Sequence, residues 1–248
     1  DGLLEDLLSR MRSVLGEHLV GVYLYGSLVA GGFDEDVSDI DLLAATTHPV
    51  DTQDLARLEQ MHEAFARDHP QWEGRIEVGY VSVQALQTFK TETSEIAVIS
   101  PGEPLHHKEA GRDWLINWYF VRERGVTLLG PPPEEIIAAV SKDEFLEAVR
   151  KQADDWGEWV GTVRGRKGHS YAVLTLCRAL YTHRNGEQVS KQRAAAWARR
   201  ELPEWAKLID DALVWRAAPN DEVGDPNMTV PEAVRFVRTV RAQILGDR

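Results

Sequence analysis

The sequence predicts a chain of two parts, an α/β domain with a small mixed sheet followed by an all-α helical bundle. Three observations predict it. The hydrophobic period changes along the chain: helical at the start, strand-like in short β-branched runs, then helical alone after about residue 110. The 248 residues are long for one compact domain and sufficient for two. Charge is also divided, with 20 acidic against 7 basic residues in 1–110 and 20 against 21 in 111–248, inside a net charge of −12. Domains of 1–110 and 111–248 are therefore expected.

The elements follow in order. Leu3, Leu4, Leu7, Leu8, Met11, Val14 and Leu15 keep the helical period, and Gly16 closes that helix. Val20–Tyr25, Asp39–Ala45 and Arg75–Val83 are short, β-branched runs that read as strands. Between the second and third, Leu55, Leu58, Met61, His62 and Phe65 stripe a helix over Thr52–Asp68. Beyond residue 110, Trp114–Arg124, Lys142–Val160, Tyr171–His183, Lys191–Glu201, Glu204–Trp215 and Val230–Leu245 read as helices. Turns such as Gly130–Pro133, Arg164–Gly168 and Asn185-Gly186 separate them.

Composition excludes several classes. With 43% hydrophobic and 27% charged residues the chain is neither disordered nor fibrous. The single cysteine, Cys177, rules out a disulfide framework or Cys-rich zinc site and lies in a run that reads as a buried helix face. No apolar run approaches the roughly 18 residues of a membrane span, and no signal sequence is visible, although the chain opens on Asp1 rather than Met. A cytoplasmic monomer without membrane or nucleic-acid partners is expected, since an acidic first half is ill suited to holding phosphodiester backbones. It favours metal ions or cationic ligands, the plainer alternative being a solvated acidic surface.

The chemistry concentrates in Gly26-Ser27 and, after eleven intervening residues, Asp39-Ile40-Asp41. Alternate residues of a strand share a face, so Asp39 and Asp41 present their carboxylates together while Ile40 and Leu42 face away. Paired carboxylates repel unless a cation lies between them, and a hard divalent ion such as Mg²⁺ suits that arrangement. On the third strand Ile76, Val78 and Tyr80 make one face and Glu77 the other, where it joins the aspartates if the strands are neighbours. Three such carboxylates form a site for one or two metals in phosphoryl or nucleotidyl transfer. A glycine turn after a strand, with the Ser27 hydroxyl, admits phosphate to backbone N–H groups. Singly these are common features, an Asp-x-Asp at a strand end or a Gly-Ser turn; their order and combination make them a candidate site. The other histidines carry less: adjacent His106 and His107 point apart, and His62 and His69 read as helix-surface or helix-end residues. The tryptophans of the second half are expected to pack between helices.

Val22–Ser27 (VYLYGS) followed by Ser38–Leu43 (SDIDLL) closely resembles the nucleotidyltransferase superfamily that includes DNA polymerase β. Within it the chain resembles the aminoglycoside (3'')(9) adenylyltransferases, which confer streptomycin and spectinomycin resistance. Val126–Pro131 (VTLLGP), Ala172–Arg178 (AVLTLCR) and Lys191–Pro203 (KQRAAAWARRELP) look like helical segments of those enzymes. The resemblance implies an N-terminal nucleotidyltransferase domain, a C-terminal helical domain and an active site in the cleft between them. Asp39 and Asp41 would hold Mg²⁺, and Glu77 would be the base that deprotonates the attacking hydroxyl. Gly26, Ser27 and Ser38 would border the triphosphate of ATP, and Arg178 and Lys191 would reach it from the helical domain. Read without the resemblance, basic residues on helices are usually solvated.

The implied reaction is transfer of AMP from ATP to a hydroxyl of an aminoglycoside or aminocyclitol, with release of pyrophosphate. The streptomycin-modifying members grip the drug with a tryptophan and an acidic residue, neither of which is evident near Thr91–Pro101 or before Tyr171. Instead Arg164-Gly165-Arg166-Lys167-Gly168-His169 is basic and would repel a guanidinium-bearing drug, so a smaller aminocyclitol such as spectinomycin is expected. The alternatives are the same chemistry on a protein or other non-antibiotic acceptor, and a relative that binds nucleotide without catalysis.

Overall fold

The computed structural model describes residues 2–35, 37–218, 225 and 227–246. The chain divides into two compact units: Asp1–Phe33 with Ser38–Val140, and Ser141–Arg248 with Asp34–Val37.

The first unit opens with helix α1 (Gly2–Leu15), followed by strands β1 (Leu19–Tyr25) and β2 (Ile40–Thr46), helix α2 (Thr52–Asp68) and strand β3 (Ile76–Ser82). These are the elements read from periodicity. It continues with α3 (Val83–Thr88), β4 (Ser94–Ser100), β5 (Glu103–Ala110), α4 (Leu115–Arg124), β6 (Val126–Leu129) and the short α5 (Pro133–Ile136). The sheet order is β5-β4-β3-β2-β1-β6, mixed because β2 and β3 run parallel while the other pairs are antiparallel. The parallel β2–β3 pair needs a crossover, and α2 supplies it. On one face, Leu7, Met11 and Leu15 of α1 and Leu58, Met61 and Phe65 of α2 bury Val22, Leu24, Ile40, Leu42, Ile76, Val78 and Tyr80. On the other, Trp118 of α4 reaches the backbone of Gly79.

Three expectations are corrected here. The first unit extends to Val140 rather than ending at residue 110, because β6 pairs with β1 and α4 lies against that same sheet. Val126–Leu129, expected to be helical, is this edge strand, its residues too few to show a period and half exposed. His62 is not at the helix surface: it is buried, and its Nε2 lies 2.7 Å from the Tyr80 hydroxyl. His69 does sit just past α2, where its Nε2 bonds Asp6 Oδ2 at 2.9 Å.

The second unit contains α6 (Lys142–Trp159), α7 (Gly165–Asn185), α8 (Lys191–Glu201), α9 (Ala206–Ala217) and α10 (Pro231–Leu245). Ser141 begins it with a reciprocal cap, its hydroxyl accepting from Glu144 N–H while the Glu144 carboxylate accepts from Ser141 N–H. Helix α7 is apolar around much of its circumference, as a helix enclosed by others must be. Val173, Leu174, Leu176, Cys177 and Leu180 are all buried, with α6, α8, α9 and α10 packed around them. Burial pushes the Cys177 thiol up to about 12, which leaves it protonated and inert. The expected turn at Arg164–Gly168 is instead largely the first turn of α7. Buried His169 stabilises it by bonding Gly165 O through Nδ1 at 2.7 Å and accepting Val230 N–H through Nε2 at 3.3 Å. Among the described residues no helix is long and apolar enough to cross a membrane.

Candidate active site

The site is built at one end of three adjacent strands. In the β1–β2 register Tyr25 faces Asp41, and in the β2–β3 register Asp41 faces Glu77. Neighbouring strands lie about 4.8 Å apart, so Asp41 and Glu77 are side-by-side carboxylates on the face opposite the α1/α2 core. Both are partly exposed between fully buried apolar neighbours, Ile40 and Leu42 on one strand and Ile76 and Val78 on the other. Asp39 lies one residue before β2, two from Asp41 and also partly exposed, whereas Ser38 is buried. The structure thus keeps the alternation that the sequence predicted.

Gly26 ends β1 with φ of +72°, in the left-handed region where a side chain is strained. A Cβ there would fall onto the Asp41 carboxylate, so this glycine leaves the room in which Asp41 sits. The chain then turns, Ala30 N–H reaching Gly26 O at 3.0 Å and Gly32 N–H reaching Ser27 O at 3.1 Å. Ser27 is partly exposed at the start of that turn.

Tyr25 is a member of the site that sequence reasoning used only as part of a motif. Its ring is buried, and its hydroxyl is within hydrogen-bonding reach of Asn117 on α4. Burial first, and then the negative charges of Glu77 and Asp41, hold the phenol well above its ordinary range, against the opposing effect of Asn117. Tyr25 therefore stays protonated at neutral pH. Nothing in the sequence singled out Asn117, because its contact with Tyr25 depends on where α4 docks.

Arg178 and Lys191 belong to the second unit. Arg178 is partly buried on α7, and Lys191 opens α8 behind Ser190, whose hydroxyl accepts from Arg193 N–H at 3.3 Å. Lys191 Nζ stands 3.8 Å from the ring centroid of Tyr171, an exposed residue two turns before Arg178 on α7. Positions seven apart share a helix face, so Lys191 and Arg178 come to the same side of α7. The basic segment before Tyr171 is tied to its own unit. Arg164 donates to Gly161 O at 3.0 Å and Val163 O at 2.8 Å, Lys167 to Arg216 O at 3.3 Å, and Arg166 lies 5.9 Å from the Trp215 ring. Of the histidines set aside earlier, His106 bonds Pro104 O and His107 bonds Val50 O.

Among the described residues no three His, Cys, Asp or Glu side chains stand, as placed, close enough to form a metal cluster. Mg²⁺ does not require one: it binds through one or two carboxylates and completes its octahedron with water and substrate phosphate. Asp39 and Asp41, hard oxygen donors spaced i and i+2, fit that requirement.

Comparison with known proteins finds matches to both parts of the chain. Residues 4–99 match the family described as nucleotidyltransferase domain, and residues 135–243 match aminoglycoside adenylyltransferase, C-terminal domain. The chain is 27% identical to the aminoglycoside (3'')(9) adenylyltransferase of Klebsiella pneumoniae over 96% of its own length and 95% of that relative. It is also 27% identical to the spectinomycin 9-adenylyltransferase of Staphylococcus aureus over 82% and 79% of the two chains. A spectinomycin adenyltransferase AAD(9) from Enterococcus faecialis, solved with ATP and spectinomycin, shares the fold with a TM-score of 0.75 at 17% identity, over 98% of each chain. With both matches in chain order, one over the strands and one over the helical unit, the chain is a nucleotidyltransferase similar along its length to aminoglycoside and spectinomycin adenylyltransferases.

Proposed function

We propose that the chain transfers AMP from ATP to a hydroxyl of an aminocyclitol or aminoglycoside antibiotic such as spectinomycin, releasing pyrophosphate. The observation that carries the reading is the register that sets Asp41 beside Glu77, with Gly26 clearing space for the Asp41 carboxylate. The named activities of the relatives support the acceptor class. Three cations at the start of α7, Arg164, Arg166 and Lys167, favour a smaller aminocyclitol over a guanidinium-bearing drug.

Asp39 and Asp41 would hold Mg²⁺, which when bound neutralises the triphosphate and polarises the phosphoryl oxygens. Glu77 takes the proton of the acceptor hydroxyl, and that oxygen attacks the α-phosphorus in line as the bond to the bridging oxygen of pyrophosphate breaks. Gly26, Ser27 and Ser38 border the triphosphate. Arg178 and Lys191, gathered on one side of α7, would supply positive charge of the kind that stabilises phosphates. The acidic 1–110 segment draws a cationic acceptor toward the carboxylates.

Release of pyrophosphate from MgATP tests this. It should appear only when an acceptor is present, and Glu77→Gln should lower turnover by about 100-fold or more while ATP binding measured by calorimetry stays near wild type. Wild-type turnover in that variant would remove Glu77 from the role of base.

A further inference from the structure

We infer that Arg75 is the positioning residue for Asp39. This rests on the proposed role of Asp39 as a metal ligand. Asp39 lies outside the β-ladder, at the end of the segment that follows the Gly26 turn, so strand pairing does not hold it directly. The residues on either side of it are both bonded to Arg75. The guanidinium Nη2 donates to Ser38 O at 2.6 Å, and the Arg75 carbonyl accepts Ile40 N–H at 2.9 Å. One residue thus grips the chain immediately before and immediately after Asp39, through its side chain and its backbone respectively.

The grip is itself anchored. The guanidinium carbon lies 4.6 Å from the Trp72 ring centroid, and the Trp72 ring stacks with Phe33 at 6.3 Å and 25°. Arg75 also immediately precedes β3, two residues from Glu77. The same short stretch that sets Glu77 in register therefore sets the backbone of Asp39. Paired carboxylates without a cation repel, so an untethered Asp39 would swing from Asp41. A residue that fixes a ligand's backbone lowers the cost of bringing the two together.

The sign of the effect separates positioning from simple electrostatics. Arg75 is a cation near a proposed cation site, so deleting its charge should by Coulomb's law strengthen metal binding. Positioning demands the opposite. We expect Arg75→Met, which keeps the length and loses the donors, to weaken Mn²⁺ binding by about 10- to 100-fold, the range for partners that orient metal ligands. The readout is electron paramagnetic resonance of Mn²⁺ in the absence of ATP and acceptor. Arg75→Lys, which retains one donor and the charge, should recover part of the loss. Circular dichroism and thermal unfolding establish that each variant is folded; if Arg75→Met does not fold, Arg75→Lys alone must still bind Mn²⁺ more weakly than wild type. Folded variants that bind Mn²⁺ as tightly as wild type, or more tightly, overturn the inference. The control is Asp39→Asn. Wild-type Mn²⁺ binding that is unchanged in Asp39→Asn would overturn the ligand role on which the inference rests, whereas binding that needs Asp39 but not Arg75 would overturn the positioning role alone.

Discussion

Gly26 is the residue at which the site is most sensitive to a single methyl group. Its φ of +72° costs an L-residue about 1–2 kcal/mol, and its missing Cβ is the space taken by the Asp41 carboxylate. The nearest obstructing atoms belong to the end of a side chain, so Gly26→Ala would rotate Asp41 away more readily than it would move the backbone. We expect turnover to fall by about 100-fold, the usual consequence of displacing a reacting group by an ångström, with only about 1–2 kcal/mol lost in urea unfolding. Near-normal turnover in a folded Gly26→Ala variant would show that Asp41 does not need its observed position. The faces of the carboxylates were legible in advance, because strand alternation alone put Asp39 and Asp41 on one face and Glu77 opposite Ile76 and Val78, whereas the approach of Gly26 to Asp41 was not. Tyr25, Asn117 and Arg75 were not legible as site residues. Their roles arise from contacts between segments distant in sequence, and nothing in residue type or spacing marks such contacts.

At the scale of elements, α2 docks on the sheet through a buried histidine. His62 Nε2 and the Tyr80 hydroxyl lie 2.7 Å apart, and burial lowers the histidine to about 4 from its ordinary 6.5. The unfolded chain thus binds a proton at His62 below about pH 6.5 while the folded chain does so only below about 4. Stability from this group is complete above the unfolded value and is lost as pH falls through that window. The shift corresponds to roughly 3 kcal/mol. Urea unfolding at pH 7 and pH 4.5 should show wild type losing on the order of 2 kcal/mol more than His62→Asn across that interval. Equal losses would mean that His62 is not held neutral by the α2–sheet contact. Two of the elements that periodicity missed share a physical cause. β5 and β6 are the sheet edges, β5 rich in charged and polar residues and β6 only four residues long, so neither carries the alternation of a half-buried strand. α7 begins six residues before the expected Tyr171, its first turn hidden by two glycines and a run of cations that a sequence reader takes for a loop.

For the whole molecule, the division of charge found in the sequence follows the placement of the candidate site residues. The acidic segment carries Asp41 and Glu77 on one sheet with Asp39 just before it, and the second unit gathers Arg178 and Lys191 on one side of α7. The boundary itself lies later than charge and periodicity suggested, because Leu115–Val140 completes the first unit through β6 and α4 rather than joining the bundle. The first unit matches a nucleotidyltransferase domain and the second an aminoglycoside adenylyltransferase C-terminal domain, and most of the chain aligns with relatives whose names are those of antibiotic adenylyltransferases. The measurement that tests this account most directly is mass spectrometry of spectinomycin, streptomycin and other aminoglycosides after incubation with MgATP and the full chain. The account predicts that spectinomycin gains one AMP, that streptomycin gains little or none, and that Glu77→Gln lowers the rate of product formation by about 100-fold or more. A panel in which no aminocyclitol or aminoglycoside gains AMP, while a protein from cell lysate does, would contradict it.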